Sequence, residues 1–236
     1  MSGHLNPGGQ QFRGDRGGAD QAVTAALAAY QAGRGSERAA LAALAAARLL
    51  VPVIAVLGEH REATQGDKDS EMVLPTLIGR DGRPAVIAFT GLDALARWHP
   101  DARPVPAGAD RVWRAAVADG CAVVIDVAGP VPLAVEGSRL AALAAGQPPP
   151  PPHEDPDVRA EVQAAVAAEP AIAGFSLAPG HPGTTNDPAA ADLAITLHLA
   201  PGRETDPGPA VNRAAAGIAA RLGARLRRGI EVIVAG

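Results

Sequence analysis

MVLPTLIGRDGRPAVIAFTGLDALARW, residues 72–98, decides the fold class of this chain. Residues 72–78 and 84–89 are two short apolar runs, joined by Gly79, Arg80, Asp81, Gly82 and Arg83. Asp-Gly supplies the positive φ that a tight hairpin demands, so the runs are expected to be paired strands. Thr90 then opens TGLDALARW, with Asp93 three residues on. The pair resembles a capping box, with Thr90 as N-cap and a carboxylate favouring the helix N-terminus, and it predicts a helix of about two turns. Strand, turn, strand and helix in one short stretch call for a sheet with helices packed on it.

Upstream, LLVPVIAVL (49–57) is too short and too β-branched for an ordinary helix, and reads as a buried strand with Pro52 at an edge or bulge. Residues 58–71 form a polar loop. Alanine and leucine at helical spacing after Asp20, and again after Ser36 as N-cap, predict two short helices parted at residues 33–35. Residues 1–19 are glycine-rich without apolar periodicity, and are expected to be a mobile tail. Downstream, the proline-rich 102–108 reads as a connector. A helix follows over 109–119, with Val112, Trp113 and Val117 near one face. CAVVIDVAGP (121–130) is then a strand ended by Gly129 and Pro130, and 138–145 a short helix.

Five consecutive prolines at 148–152 form a stiff segment that neither a helix interior nor a sheet admits, and mark a boundary. Beyond it, Val158, Val162 and Val166 line one face of a helix over 157–169. Strands are expected at 172–178, 193–199 and 230–234, with a helix at 211–226. The fold class is therefore α/β (α+β), two small mixed-sheet domains with flanking helices. The expected divisions are a tail (1–19), a first domain (20–146), a Pro-rich linker (147–156) and a second domain (157–236).

Composition narrows the function. The formal charge is −4 and the pI near 5.9, so no basic field exists for non-specific nucleic-acid binding, and nucleic acid is disfavoured as a partner. Lys68 is the only lysine. Cys121 is the only cysteine, which rules out an intrachain disulfide and multi-cysteine metal sites and suits a reducing compartment. Neither an apolar leader core nor an uninterrupted apolar stretch of roughly 18 to 20 residues occurs, so a cytoplasmic protein with no membrane span is expected.

The run from LLVPV through residues 72–98 to GCAVVIDVAGP resembles the N-terminal domain of the SseB family over roughly residues 22–146. The segment from Asp157 onward resembles, more loosely, the second domain that accompanies it. The resemblance implies an α/β fold in a cytoplasmic bacterial protein. The family takes its name from a serine-sensitivity phenotype, and membership implies no biochemical activity, so no catalytic residue carries over. The similarly named secreted translocon proteins are a different case, since this chain lacks their long heptads and apolar spans.

Read for chemistry, the chain yields no assignment of catalytic, cofactor-binding or metal-ligating residues, and no cofactor. His4, His60, His99, His153, His181 and His198 fall at separations that give no ligand pair on one helix. The acidic loop Glu59, Glu62, Asp67, Asp69, Glu71 lacks the pattern of an EF-hand. Cys121 precedes a buried strand and reads as core packing. Trp98 and Trp113 read as core, Trp98 as half exposed. Ser36, Thr90 and Ser138 sit where caps are expected. Nucleotide hydrolysis through a P-loop is excluded, because Lys68 lies in GDKDS. Arg221, Arg225, Arg227 and Arg228 form one basic cluster, read as the charged end of a helix. The expectation is a non-catalytic interaction or regulatory protein whose partner is another protein. The alternative is a small-ligand-binding or enzymatic domain with a site between the two halves. It would use Asp126 at a strand end with Thr184, Asn186 or Asp187 from the long loop.

Overall fold

The computed structural model describes residues 14–53, 76–79, 82–181, 190–201 and 206–235. The chain divides into two compact units, Met1–Thr24 with Leu44–Gln147, and Ala25–Ala43 with Pro148–Gly236. The first two helices are α1 (Gln21–Gln31) and α2 (Glu37–Leu44). Between them Gly33 takes φ 66°, and a Cβ there would lie 3.0 Å from the Arg227 carbonyl oxygen, so both conformation and space call for glycine. Ser36 caps α2 as expected, its Oγ accepting the Ala39 N–H at 3.2 Å.

In the first unit β1 (Arg48–Val53) is followed by β2 (Thr76–Ile78), β3 (Pro84–Ala88), α3 (Leu92–Trp98), β4 (Arg103–Gly108) and α4 (Ala109–Ala118). β5 (Ala122–Ile125), β6 (Leu133–Val135) and α5 (Gly137–Ala144) complete it. Over its described residues the decisive stretch pairs as expected: β2 and β3 are antiparallel, and Gly82 takes φ 79°, while residues 72–75, Arg80 and Asp81 lie outside the described residues. The sheet order is β2-β3-β5-β6. β3 and β5 run parallel, joined by the α3-β4-α4 crossover, and β6 adds antiparallel. Being central, β3 and β5 are largely buried on both faces, and alternate residues serve two packing layers. Leu77, Ile87, Phe89 and Val124 pack with Ala94 and Leu95 of α3. Trp98 completes that cluster half-buried, 5.6 Å from the Phe89 ring, while Trp113 on α4 is wholly buried.

The proline-rich 102–108 is not a connector. Residues 103–108 are β4, antiparallel to β1, with Pro52 facing Pro104 and Leu50 facing Pro106. Opposite residues of an antiparallel pair alternate between bonded and non-bonded positions. Leu50 spends its N–H and C=O on Phe89, at 2.7 and 2.8 Å, and Ala109 donates to the Ala47 carbonyl at 2.9 Å. The bonded positions therefore include Leu49, Val51 and Val53, and the three prolines occupy positions where no ladder N–H is required. Residues 133–135, which carried no strand signal, form β6 against β5.

The second unit contains α6 (Pro156–Val166), β7 (Ile172–Pro179), β8 (Leu193–Leu199), α7 (Gly208–Leu222) and β9 (Ile230–Ala235), the expected helix, strand, strand, helix, strand order. Its sheet order is β7-β8-β9, with β7 antiparallel and β9 parallel to β8. Val158, Val162 and Val166 of α6 pack with Ala214, Ile218 and Leu222 of α7 on Leu193, Ile195 and Leu197, as the spacing of four predicts. α6 starts at Pro156 because Asp155 is its N-cap, accepting the Asp157 N–H at 2.9 Å. α7 ends at Leu222, earlier than its apolar pattern suggests.

Two expectations change here. Residues 14–19, read as part of a mobile tail, are bound in the first unit: Asp15 pairs with Arg48 at 2.6 Å, and the Gly17 carbonyl accepts the Leu92 N–H at 2.8 Å. The proline run is anchored in the second unit. Pro149 is buried, and its carbonyl accepts a 2.9 Å hydrogen bond from Arg38.

Candidate functional site

Asp126 stands at the carboxyl end of β5, where open α/β sheets place ligands. Its backbone turns out of the strand at φ 50°, a left-handed conformation that aspartate tolerates better than most residues. The side chain is buried, with one carboxylate oxygen accepting the Thr90 N–H at 2.8 Å and the other the Thr90 hydroxyl at 2.7 Å. The Asp126 N–H donates to the Ala88 carbonyl at 2.9 Å, and its own carbonyl accepts from Gly129 at 2.7 Å. Burial pushes its carboxyl above the ordinary value against the opposing pull of the two Thr90 bonds and, more weakly, of Arg97. Asp126 thus ties β5 to the end of β3.

Thr90 consequently does not cap α3. The N-cap is Gly91, in extended conformation and without a side-chain bond, because the Thr90 hydroxyl is committed to Asp126. Ser138 likewise lies inside α5, whose N-cap position is Glu136. Over the Thr90 corner runs the segment from Asp15 to Ala19. Arg48 donates to Asp15, to the Gly18 carbonyl and, at 3.2 Å, to the Thr90 carbonyl. A Cβ on Gly91 would approach the Ala19 nitrogen to 2.8 Å, and one on Gly17 would collide with the Leu92 side chain, so paired glycines permit this close approach. Arg48 and Asp15 escaped the sequence reading; a charged residue opening the otherwise apolar RLLVPV was the available signal.

The basic cluster is resolved residue by residue. Only Arg221 lies in α7, paired with Glu161 at 2.9 Å; the other three occupy the turn that follows. Arg225 is nearly buried and bridges Glu37, at 2.7 Å, and Asp155. Burial alone would lower its pKa, but the two carboxylates outweigh it and hold the guanidinium above its ordinary value. Arg227 stacks 5.1 Å over the Tyr30 ring. Arg228 pairs with buried Asp192 at 2.8 Å and also donates its backbone N–H to that carboxylate. The cluster works as structural ion pairing more than as a helix-dipole end. A fifth pair, Arg213 with Glu169, is bidentate at 2.7 and 2.9 Å and holds the glutamate below the usual carboxylate range.

The remaining candidates are dispersed. Cys121 is half-buried, not in the core, with its thiol 3.5 Å from the Asp119 carbonyl oxygen; burial and then Asp119 push its pKa up, away from the reactive thiolate. His198 lies 3.2 Å from the Ser176 hydroxyl on the exposed side of β8 and β7. Among the described residues no three His, Cys, Asp or Glu side chains come together as a metal site. Thr184, Asn186 and Asp187 lie outside the described residues, as do Glu59, Glu62, Asp67, Asp69, Glu71 and Lys68. No described helix is long and apolar enough to cross a membrane.

A family model described as the SseB protein N-terminal domain matches residues 23–142, just over half of the 236 residues. No curated protein matches the chain, and no solved structure does.

Proposed function

Because the chain belongs to the SseB family through its N-terminal domain, we propose that it works by binding another protein and not by catalysis. The observation that carries this reading is the use the chain makes of its polar groups. Asp126 is spent on Thr90, three arginines of the basic cluster are spent on carboxylates and the fourth on an aromatic ring. A catalytic group needs a free, tuned position facing substrate, whereas these side chains hold backbone to backbone. In the same reading the residues from Asp157 onward are the second domain that accompanies the first in the family. The protein acts in a bacterial cytoplasm, and nucleic acid is not its partner.

The test is capture of the tagged full-length protein from its own host's lysate, with an untagged control, followed by titration of the purified partner. Saturable binding of one protein supports the proposal. A co-purifying small molecule that the chain turns over, with no protein partner, overturns it and favours the ligand-binding alternative.

A further inference from the structure

We infer that β9 is a dimerisation edge on which a second copy of this chain adds its own β9, antiparallel, about a two-fold axis at Ile233. Every sheet edge exposes backbone donors and acceptors that template pairing, and proteins blunt such edges with shortness, proline, bulges or charge. The other described edges here carry those defences. β6 has three residues, β2 three among the described ones, β1 carries Pro52, β4 carries Pro104 and Pro106, and β7 has an irregularity between Ile172 and Gly174 and ends in Pro179. β9 has six residues, IEVIVA, with neither proline nor bulge and Glu231 as its one charge. Among the described residues no strand pairs with its outer side. Ile233 and Val234, on opposite faces of the strand, are 44% and 46% exposed.

The occupant follows from the strand's own sequence. A two-fold axis perpendicular to the sheet sets one residue opposite its copy, which is the condition for a closed, isologous pair. With Ile233 on the axis, the two Ile233 side chains cover each other, Val234 meets the mate's Val232, and Glu231 meets Ala235, so like charges never face. Placing the axis at Val232 instead would set Ile233 against Glu231. The product is one continuous six-stranded sheet with α6 and α7 of both copies on the same face. This inference does not depend on the identity of any other partner.

Sedimentation equilibrium of the full chain should give twice the 23.7 kDa chain mass, and Ile233→Lys, which sets two ammonium groups opposite each other at an exposed position, should weaken dimerisation by about tenfold or more. Ile233→Cys combined with Cys121→Ser should be joined into a covalent dimer by a short bis-maleimide, a readout that stands even if the lysine variant fails to fold. A monomer at roughly 100 μM, or a dimer that neither responds to Ile233→Lys nor cross-links through position 233, overturns the inference.

Discussion

The bond between Thr90 and Asp126 shows how a single carboxylate can be functional in position and structural in effect. Asp126 has the strand-end placement of a ligand-binding residue, yet both oxygens are taken by one threonine. A buried carboxylate whose folded pKa is raised binds protons more tightly in the native than in the unfolded chain. Its contribution to stability is therefore complete below the unfolded value of about 3.9 and declines as pH rises through the native value. Replacing Thr90 with Val keeps the shape and removes the hydroxyl donor, leaving one buried oxygen without that partner. The expected cost is about 1–3 kcal/mol near neutral pH by urea denaturation, since an unsatisfied buried acceptor forfeits its solvation. Losing a bond that favours the ionised form raises the pKa further, so the gap between the two proteins should be wider at neutral pH than in acid. An equal gap at both would mean that the hydroxyl does not discriminate between the charge states of Asp126.

At the scale of elements, local turn chemistry and apolar spacing carried most of the fold, and failed where a tertiary partner decides. The β2–β3 hairpin was legible because Gly82 supplies a positive φ between two apolar runs, and α6 because three valines recur at intervals of four. β4 was not, because proline normally argues against a strand, and only the register against β1 reveals that Pro104 and Pro106 sit at non-bonded positions. Pro106→Ala should leave thermal stability nearly unchanged. Val105→Pro removes a ladder donor facing β1 and should cost about 1–3 kcal/mol. Thr90 was misread for a related reason: a cap signature is local, and the stronger buried acceptor on Asp126 lies 36 residues away. The bound segment ahead of α1 was invisible because glycine-rich sequence reads as disorder unless the fold supplies a clamp. Arg48 is that clamp, so Arg48→Ala should release it and speed hydrogen exchange at the Leu92 amide, bonded to the Gly17 carbonyl, by roughly tenfold, equivalent to about 1.4 kcal/mol of local opening. Unchanged exchange at Leu92 would show the segment to be held by packing alone.

For the molecule as a whole, the least legible feature is where residues 25–43 belong. Sequence places them ahead of β1, and periodicity shows which face of a helix is apolar without showing what covers it. In the structure they join the second unit: Tyr30 donates its hydroxyl to the Ala224 and Arg225 carbonyls at 3.0 and 3.1 Å, and Glu37 shares Arg225 with Asp155. The triad could not be paired from sequence, because Arg225 lies 188 residues from Glu37 and 70 from Asp155. The energetics follow from burial. Taking two carboxylates and a guanidinium out of water is costly, and their mutual attraction roughly offsets that cost, so the intact triad adds little net stability. Removing only the cation is different. Arg225→Met leaves Glu37 and Asp155 buried without it, and should destabilise the second unit by about 3–5 kcal/mol in chemical denaturation. Adding Glu37→Gln removes one of the two carboxylates that lost the guanidinium and should recover part of the loss, while Asp155 continues to cap α6. If Arg225→Met unfolds at the wild-type midpoint, the triad is solvated in solution and the helical pair is held by its apolar face and the Tyr30 bonds instead.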